Sequence, residues 1–223
     1  MKKYKAAFYL NITIVILTIF ALVMMFTGFK IMHGAKPLLE SSSIGMFRFF
    51  TVDSNLLMGV SAIIMAIYEY KFLHNKIDII PKKIYLLKYM GTVGVMLTFF
   101  VVFTYLVPIA GGGIFLMIMN SNLFFHLIIP ILSMIVFIFF EKNNVINFKD
   151  TFYGLIPTII YASFYLINIL AHLENGVVSP KYDWYYFVQN GIWTASIVIP
   201  VMLLITYGIS VLLWKFNRIK NDK

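Results

Sequence analysis

Residues 6–29 read AAFYLNITIVILTIFALVMMFTGF and contain no charged side chain. The length of that run decides the fold. At about 1.5 Å of rise per residue it crosses the roughly 30 Å of hydrocarbon in a bilayer, for which about 20 residues suffice. The basic tract Met1 to Lys5 ahead of it looks like the start of a signal peptide. The run is long enough to span, however, and no small-residue cleavage pattern closes it, so a retained first helix is expected. Working outward, apolar windows of the same kind predict helices over 7–29, 44–69, 84–108, 114–140, 151–171 and 190–214, with short connections between them.

The composition agrees. The chain has 223 residues, 61% of them hydrophobic and 12% charged, with a mean hydropathy of +0.88, which leaves no polar shell for a soluble domain. A secreted disulfide scaffold, a cytosolic enzyme and a disordered regulator are excluded. The absence of cysteine removes disulfides, thiolate catalysis and thiolate metal sites. The expected architecture is an all-α polytopic integral membrane protein, a single six-helix transmembrane domain over residues 1–223.

The net charge of +9 is topological rather than a sign of nucleic acid. With six crossings both termini share a side, and 14 of the 18 basic residues fall on it: Lys2, Lys3, Lys5, Lys71, Lys76, Lys82, Lys83, Lys88, Lys142, Lys149, Lys215, Arg218, Lys220 and Lys223. Lys30, Lys36, Arg48 and Lys181 fall on the other. The positive-inside rule then places both termini in the cytoplasm of a plasma-membrane protein. Before the last helix, Tyr182-Asp183-Trp184-Tyr185-Tyr186-Phe187 reads as an aromatic belt along the outer leaflet. No internal repeat or pair of broken helices suggests an inverted-repeat carrier.

Polar groups inside the hydrocarbon carry the functional information, because each is costly there unless it is paired. Residues 45–57 hold Arg48, Thr51, Asp53, Ser54 and Asn55. Helical spacing puts Arg48, Thr51 and Asn55 on one stripe, with Asp53 turned about 160° from Thr51 toward a different neighbour. In the fourth span Asn122, His126 and Pro130 follow one another at spacing four, and Pro130 leaves the His126 carbonyl without its usual donor. Counted from the ends near Lys71 and Glu141, His126 is level with Asn55 and Leu56. Tyr161, Tyr165, Asn168 and His172 form a third stripe, read first as interhelical packing.

At Phe49-Phe50-Thr51 with Ser54-Asn55-Leu56-Leu57, and again at Asn122 to Pro130, the sequence resembles the androgen-induced membrane protein family and its uncharacterised bacterial relatives. Val178-Ser179-Pro180 also looks like the family's Tyr-Pro loop, although no Tyr precedes this Pro. The resemblance implies an intramembrane threonine hydrolase acting on fatty acid esters of hydroxy fatty acids, with Thr51 as nucleophile and His126 as general base. Neither a cofactor nor a metal is implied. Asn122, Asn55 or Arg48 would then supply oxyanion donors, while Asp53, Tyr165 and His172 complete the list of cavity-lining candidates. The expected partners are a lipid ester substrate and membrane lipids.

Two other readings compete. A small transporter or lipid-binding protein would use Asp53, His126 and His172 on a proton or polar solute. It requires a polar path through both halves, whereas 56–67 and 131–140 read as nearly all apolar. A metal site built from Asp53, His126 and His172 has suitable ligand types but no supporting spacing.

Overall fold

In lipid, helices gain nothing by hiding apolar side chains from one another, so they associate through close packing and buried polar contacts. The computed structural model, which describes residues 1–32, 41–109, 113–141 and 144–218, follows that rule. It is an all-α bundle of six helices long and apolar enough to cross a membrane: α1 (Lys2–Thr27), α2 (Phe50–Leu73), α3 (Lys82–Leu106), α4 (Ser121–Phe140), α5 (Phe148–Ala171) and α6 (Ile192–Arg218). The one pair of strands among the described residues is the short hairpin Leu173–Glu174 with Val177–Val178. Lys36, Lys142, Lys220 and Lys223 of the charge tally lie outside the described residues.

All six predicted spans are present, with shifted ends. α1 starts at Lys2 rather than residue 7, because lysines prolong a helix beyond its apolar window without penalty. The expected helix 114–140 is broken at Asn120, whose φ of 55° ends the short helix Ile114–Met117 and separates it from α4. Asn120 adopts that conformation because its side chain holds the α1 exit. Its Oδ1 accepts the Ile31 and Met32 N–H groups, each at 2.8 Å, and its Nδ2 donates to the Met32 carbonyl at 3.1 Å.

α3 is the centre of the bundle. Of its best apolar window 56% is buried, against 17% for α6, and it packs on α2, α4, α5 and α6. Glycine permits two of these approaches. A Cβ on Gly91 would stand 2.8 Å from the Ser61 hydroxyl and 3.1 Å from the Met58 Cα of α2, and one on Gly154 of α5 would collide with Ser210 of α6. Buried polar side chains fasten the same helices. Tyr89 of α3 donates to the Ser210 carbonyl at 2.5 Å, and Ser210 donates to the Thr151 carbonyl of α5 at 2.6 Å.

The first and last spans end on one side of the bundle, here called the terminal end. There Asn11 (α1), Glu69 (α2), Lys88 (α3) and Glu141 (after α4) meet in the interior, and Asn217 of α6 donates to the Phe137 carbonyl of α4 at 2.6 Å. Lys88 is therefore an interior residue and not part of the surface charge that the sequence tally assumed. Ser61 and Ser133 are buried as well, so the halves expected to be almost wholly apolar carry interior polar groups.

Gly91→Val should wedge α3 from α2, because the contact beneath it includes helix backbone that cannot turn aside. A loss of about 1–3 kcal/mol is expected, read as a lowered melting temperature in detergent, while the exposed Ile63→Val should change little.

Candidate active site

The second span does not become α-helical where its hydrophobic pattern starts. Ser43–Arg48 winds as a tight 3-10 segment, Phe49 is extended at φ −96° and ψ 128°, and the α-helix opens at Phe50. The expected stripe is corrected accordingly: Arg48 lies outside the helix, and only Thr51 and Asn55 keep their common face. Such a break leaves orphan backbone groups, which lipid cannot satisfy. Two tyrosines satisfy them. The Phe50 N–H donates to the Tyr185 hydroxyl at 2.9 Å, and the Tyr161 hydroxyl donates to the Arg48 carbonyl at 2.6 Å.

Tyr185 comes from the aromatic loop before α6, so the belt reading is also corrected. Part of that loop turns inward. Asp183 is buried; it accepts the Tyr165 hydroxyl and the N–H groups of Phe187 at 2.9 Å and Val188 at 3.0 Å. Trp184 Nε1 donates to the Tyr161 hydroxyl at 3.0 Å. Asn168 donates to the Tyr182 carbonyl at 2.8 Å, and His172 stacks on the Tyr182 ring at 3.5 Å. The stripe Tyr161, Tyr165, Asn168, His172 thus docks this loop, in line with the packing reading. Sequence reasoning missed Tyr185 and Asp183, since nothing in a run of aromatics says which members turn in.

Asn55 joins the two predicted halves of the site. Its Nδ2 donates to the Thr51 carbonyl at 2.8 Å and to the Phe125 carbonyl of α4 at 3.2 Å. One nitrogen therefore binds the turn of the expected nucleophile to the residue just before His126. The depth count from the sequence, which put His126 level with Asn55, agrees with this contact. Both amide protons are spent, which removes Asn55 as an oxyanion donor.

His126 itself is 4% exposed and sits in the wide π turn Phe124–Ile128, where the Ile129 N–H reaches back to the Phe124 carbonyl. Pro130, which has no N–H, accounts for a loosened turn at this point. The ring Nδ1 lies 2.5 Å from the Met117 carbonyl. A carbonyl only accepts, so Nδ1 carries the proton and Nε2 keeps a lone pair, the tautomer of a general base.

The Thr51 hydroxyl makes no hydrogen bond among the described residues. It faces a cavity of about 70 Å³ whose wall includes Thr98, Tyr161, Tyr185, Val198 and Met202. A wider groove of about 560 Å³ adjoins between α2 and α5, lined by Arg48, Asp53, Asn168 and Trp184, and the two share Phe50, Tyr161 and Tyr165. His126 is not in the wall that Thr51 lines, and no hydrogen bond joins the pair. Asn122 lines a separate small cavity beside Lys30 and Ser42. Asp53 has no ion pair among the described residues, with Arg48 or any other cation. Asp53, His126 and His172 do not converge on one point, and among the described residues no His, Cys, Asp and Glu side chains cluster to hold a metal. No family model, curated protein or solved structure matches the chain.

Tyr185 lies outside the spans, and burial pushes its phenol from 10.0 up to about 12. The folded protein holds that proton more tightly than the unfolded chain does. The stabilisation is thus complete below pH 10.0 and is lost as the pH rises through about 12. Tyr185→Phe should lower stability by about 1–3 kcal/mol at neutral pH, by leaving the Phe50 N–H without its acceptor, and should remove this component of alkaline unfolding. Melting curves of both proteins from neutral to alkaline pH check the two effects together.

Proposed function

We propose that the protein is an intramembrane hydrolase of lipid esters, with Thr51 as nucleophile and His126 as general base. The observation that carries the reading is the Asn55 clamp, which fixes the Thr51 turn against the His126 turn while the Met117 carbonyl pins the ring proton on Nδ1. A threonine hydroxyl is a poor nucleophile until a neighbouring base takes its proton. The pair shares no hydrogen bond in the resting structure, so the reaction requires the two clamped turns to close until His126 Nε2 accepts that proton as Thr51 Oγ1 attacks the ester carbonyl. The tetrahedral intermediate collapses, the C–O bond to the alcohol breaks, and His126 returns the proton to the departing oxygen. Water, deprotonated by the same nitrogen, then releases the acyl group as a free acid and regenerates Thr51.

The surroundings suit a fatty acid ester. Aromatic and aliphatic walls accept an acyl chain in the groove between α2 and α5, where Arg48 offers a cation to a carboxylate end. The oxyanion donor that remains at the Thr51 cavity is the phenol of Tyr185, because the Tyr161 proton is spent on the Arg48 carbonyl. Asn122 faces another cavity and drops out of that role. The basic terminal end is read as cytoplasmic and the membrane as the plasma membrane, so the groove opens to the outer leaflet.

A transport reading is favoured by one observation, the buried polar groups Asn11, Ser61, Lys88 and Ser133 in the terminal halves of the helices. One experiment separates the two. Purified protein in liposomes is given a panel of lipid esters, and acid release is compared among wild type, Thr51→Ala, Thr51→Ser and His126→Ala. The hydrolase reading expects losses of roughly 100-fold or more in both alanine variants, with partial activity kept by the serine variant. Unchanged acid release in the alanine variants overturns the dyad, and no acid release from any of the four proteins leaves transport.

A further inference from the structure

The interior cluster at the terminal end takes no part in the proposed hydrolysis. Asn11, Glu69, Lys88 and Glu141 come from four different helical segments, and none is more than 2% exposed. Asn11 is the hub. Its Nδ2 donates to Glu69 Oε2 at 3.0 Å and to Glu141 Oε1 at 2.8 Å, and its Oδ1 accepts from Lys88 Nζ. The amide orientation follows from the partners, because the reverse placement would set a carbonyl oxygen against two carboxylates and an NH₂ group against an ammonium.

Among the described residues the charges do not balance. Two carboxyls share the interior with one ammonium, and that ammonium lies 3.8 Å from Glu141 Oε1. Among the described residues Glu69 has the Asn11 amide as its one hydrogen-bond partner. The other described charged groups near this end are committed or turned outward. Asp150 of α5 pairs with Lys82 of α3 at 2.6 Å, and the Tyr89 hydroxyl donates to Ser210. Tyr85 of α3 lies within the apolar cluster of this end. From α6 comes the uncharged Asn217, while Lys215 and Arg218 are exposed, as are Lys2, Lys3 and Lys5 of α1, Lys71 of α2 and Lys149 of α5. With all three interior groups ionised, a net negative charge would be sealed among the helices, an arrangement that costs several kcal/mol.

We propose that the cluster is a proton-binding site in which Glu69 holds one proton at neutral pH. Glu141 and Lys88 then form a neutral pair, Asn11 bridges that pair to the protonated Glu69, and the interior carries no net charge. Loss of the proton places a bare carboxylate between α1, α2 and α3, so the packing of these helices is coupled to pH. The site stands whether or not Thr51 is a nucleophile, since it shares no residue with that reading.

The test uses the full chain in detergent, with infrared spectra taken in H₂O and D₂O at neutral pH on wild type, Glu69→Gln, Glu141→Gln and Asp53→Asn. A protonated-carboxyl band equivalent to one group per chain, shifted by D₂O, is expected in wild type and Asp53→Asn and absent from Glu69→Gln. Gln mimics a protonated Glu, so Glu69→Gln should also melt like wild type at neutral pH and escape the fall in stability that wild type undergoes as the pH rises through the site's titration. A missing band in wild type overturns the proposal even if the variant fails to fold. A band that survives in Glu69→Gln, or that disappears only in Asp53→Asn, overturns it equally.

Discussion

Lipid offers no hydrogen bonds, and at three interruptions of the helices in this bundle a side chain serves the backbone groups that the break exposes. At Phe49 the assignment falls to Tyr161 and Tyr185; at the exit of α1 it falls to Asn120; in the π turn of α4 Asn55 occupies the Phe125 carbonyl. These side chains arrive from elements distant in sequence. Each satisfied break is therefore also a tertiary contact, and the irregular places are where the helices are pinned to one another. A continuous helix through Phe49 would have no use for Tyr185, and the loop before α6 would lose its tie to α2, keeping only those to α5.

This explains which parts were legible in the sequence. The spans follow from hydropathy alone, since length and apolarity are local properties, and Lys2 or Lys82 shift an end without altering the count. The level of His126 against Asn55 follows from residue counting because the rise per residue is nearly constant. The break at Phe49 was not legible: Phe47, Phe49 and Phe50 continue the apolar pattern without a proline or glycine, and the stabilising groups lie more than a hundred residues away. That is why Arg48 was placed on a stripe to which it does not belong. The inward turn of Asp183 escaped notice for a different reason: its partners Tyr165, Phe187 and Val188 are near in sequence, but nothing in an aromatic run says which members turn in.

Lys88 shows a different limit. On sequence it lies at the edge of an apolar window and counts toward the basic side, as any snorkelling lysine would. Its burial depends on Asn11, Glu69 and Glu141 being brought together by three other segments. The same chemistry that makes a charge costly in hydrocarbon makes it specific once paired, because α1 through α4 cannot rotate or slide by a turn without stranding one of these groups.

The two polar centres lie toward opposite ends of the bundle, and both draw on α2 and on α4 or the residue that follows it. Asn55 and Glu69 are fourteen positions apart on α2, about 20 Å along the axis, and a comparable stretch separates Phe125 of α4 from Glu141 just past its end. Each centre therefore fixes the α2–α4 relation at its own end, directly through Asn55 in one case and through the Asn11 bridge in the other. Between them the contact passes through close-packed Met58, Ala62, Ile129 and Val136, which transmit displacement rather than absorb it. A change in charge at Glu69 that shifts α2 against α4 consequently loads the same helix pair that the Asn55 amide nitrogen joins beside the Thr51 turn.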